Sequence, residues 1–196
     1  MNVASRLEEN MSTKAREKID YLIIGAGLCG ITLKHFLKNE RTVLVDSSPD
    51  GYKVGESFIP ETFHHPELKT LLEDIRSLPS YSPKIGTTFV SKRSVASFPI
   101  PTKGQEFSMH VGRMELEKLM CQRWGISIKR ERVQEINMST KTVITNKSIY
   151  DVEKQIVDCS GPSMVVARAL DDVIETRPVF ATWGYFDVLE NEPEKF

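Results

Sequence analysis

Long hydrophobic runs are missing from this 196-residue chain. No stretch approaches the roughly 18 consecutive apolar residues of a membrane-spanning helix, so none is expected. Charge of one sign is missing too: 26 Lys and Arg stand against 27 Asp and Glu, a formal net charge of −1. That balance gives no general attraction to nucleic acid or to an anionic lipid surface. Cysteine is scarce. Cys29, Cys121 and Cys159 are odd in number and widely spaced, which excludes a disulfide framework and points to a reducing, cytoplasmic compartment. No cysteine stands near Cys29 in the sequence, so no redox role is expected of it. Residues 1–18 lack the apolar core of a secretory signal and read as a flexible leader, with Met11 as a second candidate start. Repeats and low-complexity tracts are absent. His64 and His65 adjoin, but no Cys, His, Asp or Glu set at ligand spacing accompanies them, so no metal site is expected.

What is present suits a globular chain with one domain over residues 19–196: 40% hydrophobic residues are enough for a sizeable core. Asp20 to Ile24 and Thr42 to Val45, rich in Ile, Leu and Val, read as buried parallel strands. Between them Leu28, Ile31, Leu33, Phe36 and Leu37 form the apolar face of a helix. Pro66 to Leu78 reads as one short helix with Pro66 near its first turn. Thr87 to Val90 and Val95 to Ile100 read as a hairpin turning at Ser91 to Ser94. A helix from Arg113 to Trp124 ends at Gly125. Short strands are expected at Ser127 to Lys129, Lys141 to Thr145, Ser148 to Tyr150 and Gln155 to Val157. The charged run from Lys129 to Arg132 reads as a solvated loop, and Val179 to Val188 as a last β-rich stretch.

One segment carries chemistry. Gly25-Ala26-Gly27-Leu28-Cys29-Gly30 follows the first strand and opens the first helix, and Asp46 closes the second strand 21 residues after Gly25. Gly25 permits a tight turn, Gly27 lets the backbone approach a pyrophosphate, and Gly30 lets the helix pack on the sheet. The helix N-terminus offers unpaired N–H groups and a partial positive charge to phosphates. Asp46, followed by Ser47, is placed to accept hydrogen bonds from a ribose. Asp46 as a turn cap and the glycines as purely structural are the competing readings. The pattern is that of a dinucleotide-binding βαβ unit, for FAD or NAD(P).

Further motifs, in order, resemble the flavin-dependent halogenases. Lys53-Val-Gly55-Glu56-Ser57-Phe-Ile-Pro60 resembles their Gly-Glu-Ser-x-x-Pro segment. Pro83-Lys84-Ile-Gly-Thr-Thr-Phe89 resembles their Lys-x-Gly-x-x-Phe segment. His110-Val111-Gly112-Arg113 is similar to their helix start, and Asp158-Cys159-Ser160-Gly161 to their Asp-Ala-Ser-Gly. Thr182 to Phe186 is similar to the strand that opens their substrate region. Geranylgeranyl-reductase and aromatic-hydroxylase flavoproteins are close to the same pattern.

The resemblance implies an α/β, Rossmann-like FAD/NAD(P)-binding domain in three layers: a parallel sheet, helices on one face and a smaller β layer on the other. It implies FAD as cofactor, held by Gly25 to Gly30, Asp46, Ser47, Gly55, Glu56, Ser57, Arg113, Val133, Ser160 and Gly161. Val133 would offer backbone groups to the adenine, with a core strand position as its plain alternative. Arg113 would pair its guanidinium with phosphate or ribityl oxygens. Lys84 would be catalytic, its amine reacting with hypohalous acid. The activity implied is halogenation or monooxygenation of a small molecule, with a flavin reductase as partner. Two departures stand out. Asp46 replaces the family's usual Glu, which leaves NAD(P) open. The later Gly-Asp and Trp-x-Trp-x-Ile-Pro segments are not in these 196 residues, so a split FAD-binding module, inactive without a downstream-encoded C-terminal part, is the alternative expectation.

Overall fold

A computed structural model describes residues 14–63, 65–84, 86–99 and 108–174. Expectations for residues 1–13, for His64 and for the stretch 179–188 fall outside the described residues. The chain divides into two units, Met1–Tyr52 with Glu117–Val173 and Lys53–Leu116 with Ile174–Phe196.

The first unit is built on β1 (Ala15–Ile24), which begins inside the segment read as a leader. Residues 15 to 18 are strand because they pair with β11 (Ser148–Asp158), from Ala15 opposite Ser148 to Lys18 opposite Asp151. Arg16 adds an ion pair to Asp151 at 2.6 Å. Successive residues of a strand face opposite sides, so the full burial of both Leu22 and Ile23 means that both faces of β1 are covered. β1 lies parallel to β2 (Thr42–Asp46) on one side and to β11 on the other. The sheet has six strands in the order β8-β2-β1-β11-β10-β9, with β8 at Lys129–Arg130, β9 at Val133–Asn137 and β10 at Thr142–Thr145.

The sheet is mixed, where the sequence suggested a parallel one. β8, β2, β1 and β11 pair parallel, while β10 pairs antiparallel with both β11 and β9. The reason is local. Only Asn146 and Lys147 separate β10 from β11, and so short a link closes a hairpin and not a crossover. The two strands read at Ser148 to Tyr150 and Gln155 to Val157 are one, carried past a register shift opposite Ile19 and Tyr21.

The apolar core gathers Ile19, Leu22, Ile24, Val45, Val143, Tyr150, Val152, Ile156 and Val166. Helix α1 (Leu28–Phe36) contributes fully buried Ile31. The run read as a solvated loop contains a buried acid. Glu131 accepts hydroxyl hydrogen bonds from Thr145 (2.5 Å), Ser148 (3.2 Å) and Tyr150 (3.0 Å to each oxygen), and all four residues are buried. On β1 itself, Asp20 takes the Arg41 guanidinium at 2.8 Å and the Arg41 backbone N–H at 3.0 Å.

The second unit contains a three-stranded antiparallel sheet, β3-β7-β4, and a separate hairpin, β5-β6. Their ranges are β3 Glu56–Phe58, β4 Ser82–Lys84, β5 Gly86–Val90, β6 Val95–Pro99 and β7 Ser108–Val111. The hairpin turns where the sequence placed it, with Ser91 Oγ receiving the Arg93 and Ser94 N–H groups. The single helix read from Pro66 to Leu78 is two, α2 (Pro66–Lys69) and α3 (Leu72–Arg76). His65 caps the first through Nδ1, accepting the Glu67 N–H at 3.3 Å. Helix α4 (Arg113–Trp124) spans the division between the units, which falls after Leu116, and Gly125 follows it at φ +63°. α5 (Val165–Ala169) follows β11.

Candidate functional site

In the first unit the glycine turn is clamped from three directions. Gly25 has φ +104°, a conformation that L side chains rarely adopt, and a Cβ there would overlap the Cys159 backbone. Its N–H donates to Val45 O at 2.8 Å, and Cys159 N–H donates to Ile24 O at 2.8 Å. A Cβ on Gly30 would overlap the Gly25 carbonyl and press on Leu44, so helix, turn and β2 meet there with no room for a side chain.

Gly27 differs. Its φ of −81° and ψ of −175° are open to any residue, so the backbone itself does not call for glycine. Gly27 is the N-cap of α1, with no side-chain cap hydrogen bond and no acid in the first turn. Helix N–H groups left without a side-chain cap carry partial positive charge that attracts anions.

The acid closing β2 reaches back into this turn. Asp46 Oδ2 accepts the Ala26 N–H at 2.7 Å, and Oδ1 accepts the Ser48 N–H at 2.7 Å. Both carboxylate oxygens thus hold backbone, and each keeps a further lone pair for a hydroxyl. Asp46 is therefore a turn tie in its own right. Ser47 is exposed beside it.

The loop after β11 closes the other side. Asp158 receives Ser160 Oγ at 2.5 Å and the backbone N–H groups of Ser160 (3.0 Å) and Val166 (2.7 Å). Burial pushes its carboxyl up, but the hydrogen bonds from Ser160 and from the Val166 and Ala167 N–H groups outweigh burial and hold it below the usual range. Ser160 Oγ also accepts the Val165 N–H at 2.9 Å, so its hydroxyl serves this network. Gly161 has φ +59° and open space where a Cβ would stand. Val133 opens β9, pairs with Thr145 and packs partly buried against the core.

Sequence reasoning missed one neighbour pair. The Cys159 thiol lies 3.6 Å from the Cys29 sulfur. Cys29 thus has a partner cysteine nearby, contrary to the sequence expectation. The parallel register that sets Ile24 against Asp158 brings Cys159 beside the helix start.

In the second unit the resemblance-derived residues come together on the β3-β7-β4 sheet. Glu56 pairs with Val111, Ser57 with His110, and Lys84 with Ser108. Glu56 accepts Arg113 Nη1 at 2.9 Å, a half-buried ion pair. Lys84 Nζ donates to Ser57 Oγ at 3.4 Å. Burial, and then the Lys84 charge, lower the His110 imidazole's affinity for a proton. The loop ahead of helix α4 is tied by Ser80, whose Oγ donates to Glu115 at 2.5 Å and accepts the Gly112 N–H at 2.9 Å. Gly55 is exposed, with the Val111 carbonyl 3.3 Å from where its Cβ would be. Among the described residues no group of three or more His, Cys, Asp or Glu is placed to hold a metal ion. Nor is any helix long and apolar enough to cross a membrane.

Comparison with known proteins gives the fold. No family model matches the sequence, and no curated protein matches it. Solved structures do. A flavoprotein/dehydrogenase from Cytophaga hutchinsonii superposes with a TM-score of 0.61 at 23% identity, over 79% of this chain and 42% of that one. PqsL, a probable FAD-dependent monooxygenase from Pseudomonas aeruginosa, gives 0.66 at 17% identity, over 83% and 48%. The myxobacterial chondrochloren halogenase CndH, a variant of the FAD-dependent halogenases, gives 0.63 at 20% identity, over 78% and 39%. The chain shares the mixed-sheet, Rossmann-like fold of part of these flavoproteins and spans less than half of each.

Proposed function

We propose that the chain binds FAD and serves a flavin-dependent oxidoreductase of the halogenase or monooxygenase type. The observation that carries this is the N-terminus of α1. Its N-cap is a glycine that the backbone does not require, no side chain caps it, and the turn beneath it is held in one shape by Gly25, Gly30 and Asp46. A ligand that needs the backbone close accounts for Gly27. A pyrophosphate is such a ligand. Support for FAD in particular comes from the likeness of the fold to FAD-dependent enzymes.

Within this reading Gly25, Ala26, Gly27, Leu28, Cys29 and Gly30 take the pyrophosphate, Asp46 and Ser47 the adenosine ribose, and Val133 the adenine. Ser160, Gly161, Gly55, Glu56, Ser57 and Arg113 are assigned to the remainder of FAD. Arg113 comes with its charge already partly met by Glu56. When bound, FAD supplies the electron transfer and oxygen chemistry that no side chain can. The chain's own task is to bind and orient it. Lys84, held beside Ser57, is the amine assigned to the halogenase reaction. A flavin reductase as partner, a cytoplasmic setting and the finer three-layer arrangement belong to the same proposal.

The test is to release the cofactor from purified protein by heating, or to load FAD and NAD(P) separately, and to read the absorbance. A flavin spectrum is expected. Nicotinamide alone would move the assignment to an NAD(P)-binding protein.

A further inference from the structure

We propose that Cys29 and Cys159 form a peroxide-sensitive thiol pair, and that its closure to a disulfide weakens dinucleotide binding at the turn that Cys29 helps to build. The consequence for binding rests on the FAD reading above. The thiol chemistry does not.

Geometry supplies the pair. The sulfurs are 3.6 Å apart, with the Cys159 S–H directed at the Cys29 sulfur. The Cys159 backbone is held against the turn that leads to Cys29: it donates its N–H to Ile24, and its carbonyl fills the space where a Gly25 Cβ would stand. A disulfide needs about 2.05 Å between the sulfurs, so closure is a movement of roughly 1.5 Å. Access sets the order of events. Cys29 is exposed in the first turn of α1 and meets an oxidant first, while Cys159 is half-buried. Burial, together with its hydrogen bond to Cys29, pushes the Cys159 thiol up to about 12, so it keeps its proton at neutral pH. Cys159 is therefore the resolving group.

The oxidant is hydrogen peroxide. The Cys29 sulfur attacks one peroxide oxygen and the O–O bond breaks. Hydroxide leaves and takes up the Cys29 proton as water, and Cys29 becomes a sulfenic acid. The Cys159 sulfur then attacks the Cys29 sulfur and the S–O bond breaks. The Cys159 proton leaves with the hydroxide as a second water. Two thiols lose two electrons and one peroxide gains them. The bridge draws the helix start toward the loop after β11. The Gly25 backbone is packed against Cys159 in the same turn, so this movement shifts the N–H groups of the turn.

Reduced protein is treated with stoichiometric hydrogen peroxide and examined by intact mass and peptide mapping. FAD affinity is then measured for the reduced and oxidised forms. The expected results are a loss of two hydrogens, a Cys29–Cys159 cross-linked peptide, and FAD binding about tenfold weaker after oxidation, reversed by dithiothreitol. In Cys159→Ala, a dimedone adduct at Cys29 should replace the cross-link. Absence of the cross-link, or a bridge through Cys121, overturns the proposal. A cross-link with equal FAD affinity in both forms overturns the coupling. A cross-link in a protein that binds FAD in neither form supports the thiol pair and defeats the FAD reading instead.

Discussion

Asp46 and Ala26, 20 residues apart in sequence, are joined by a 2.7 Å hydrogen bond from the Ala26 N–H to the carboxylate. The bond ties the end of β2 to the turn leaving β1. The acid that the sequence marks as a ribose ligand therefore shapes the glycine turn in its own right. Asp46→Ala removes this bond and the one from Ser48, and is expected to cost about 1–3 kcal/mol of stability. FAD affinity should fall about tenfold as well. Urea unfolding and flavin titration on the two proteins check both. No change in either would place ribose contact and turn support on other residues.

Asp20 shows the other kind of tie, between β1 and the segment entering β2. Hydrogen bonds from the Arg41 guanidinium and backbone hold its carboxyl down at about 2. The ordinary aspartate value is about 3.9. A lowered carboxylate leaves the unfolded chain binding more protons, so its contribution is complete above that ordinary value and is lost as pH falls through about 2. Asp20→Asn should flatten the fall in stability across that window. Urea midpoints at several pH values between the two measure it, and parallel curves for both proteins would contradict it.

Glu131 accepts hydrogen bonds from three buried hydroxyls, and the Thr145 hydroxyl also reaches the Ser148 carbonyl at 3.1 Å. Glu131→Ala takes this acceptor from the Ser148 and Tyr150 hydroxyls and should destabilise the protein by about 2–4 kcal/mol, while Tyr150→Phe costs only about 1–2 kcal/mol. Thermal unfolding of the two variants ranks them. The reverse order would mean that the ring hydroxyl, and not the acid, organises the cluster.

The sequence made the strand–turn–helix–strand start legible because every signal in it is local: apolar runs, glycine spacing and the acid at the end of β2. The β5-β6 hairpin and Gly125 after α4 were legible for the same reason. What it hid depends on distant pairing. That β11 is one strand follows from β1 alongside it, and Ala15 to Lys18 are strand for the same cause. Glu131 reads as solvated in a charged run because Thr145, Ser148 and Tyr150 come later. Cys29 and Cys159 are 130 residues apart and meet only through the parallel register. Glu56 and Arg113 were both marked for the flavin, but their mutual ion pair needs β3 laid against β7.

Lys84 stands on edge strand β4, its amine donates to Ser57 on β3, and its charge acts on His110 on β7 between those strands. As the halogenase amine, it should be dispensable for cofactor binding and needed for product. Lys84→Met is expected to bind FAD within about twofold of wild type and to lose halogenated product at least about a hundredfold. Mass spectrometry of phenols, indoles and pyrroles incubated with halide and a flavin reductase reads the product. Equal product from both proteins would remove Lys84 from the chemistry.

Flavin titration of the unaltered chain against Gly27→Val tests FAD binding at the α1 N-terminus most directly. The backbone at Gly27 accepts any residue, so the variant should keep its circular dichroism and most of its stability. Its side chain occupies the place assigned to the pyrophosphate. FAD should bind the unaltered chain and quench, and binding to Gly27→Val should be at least about a hundredfold weaker. Equal affinity in two equally folded proteins, or no FAD binding by the unaltered chain at high micromolar concentration, would contradict it.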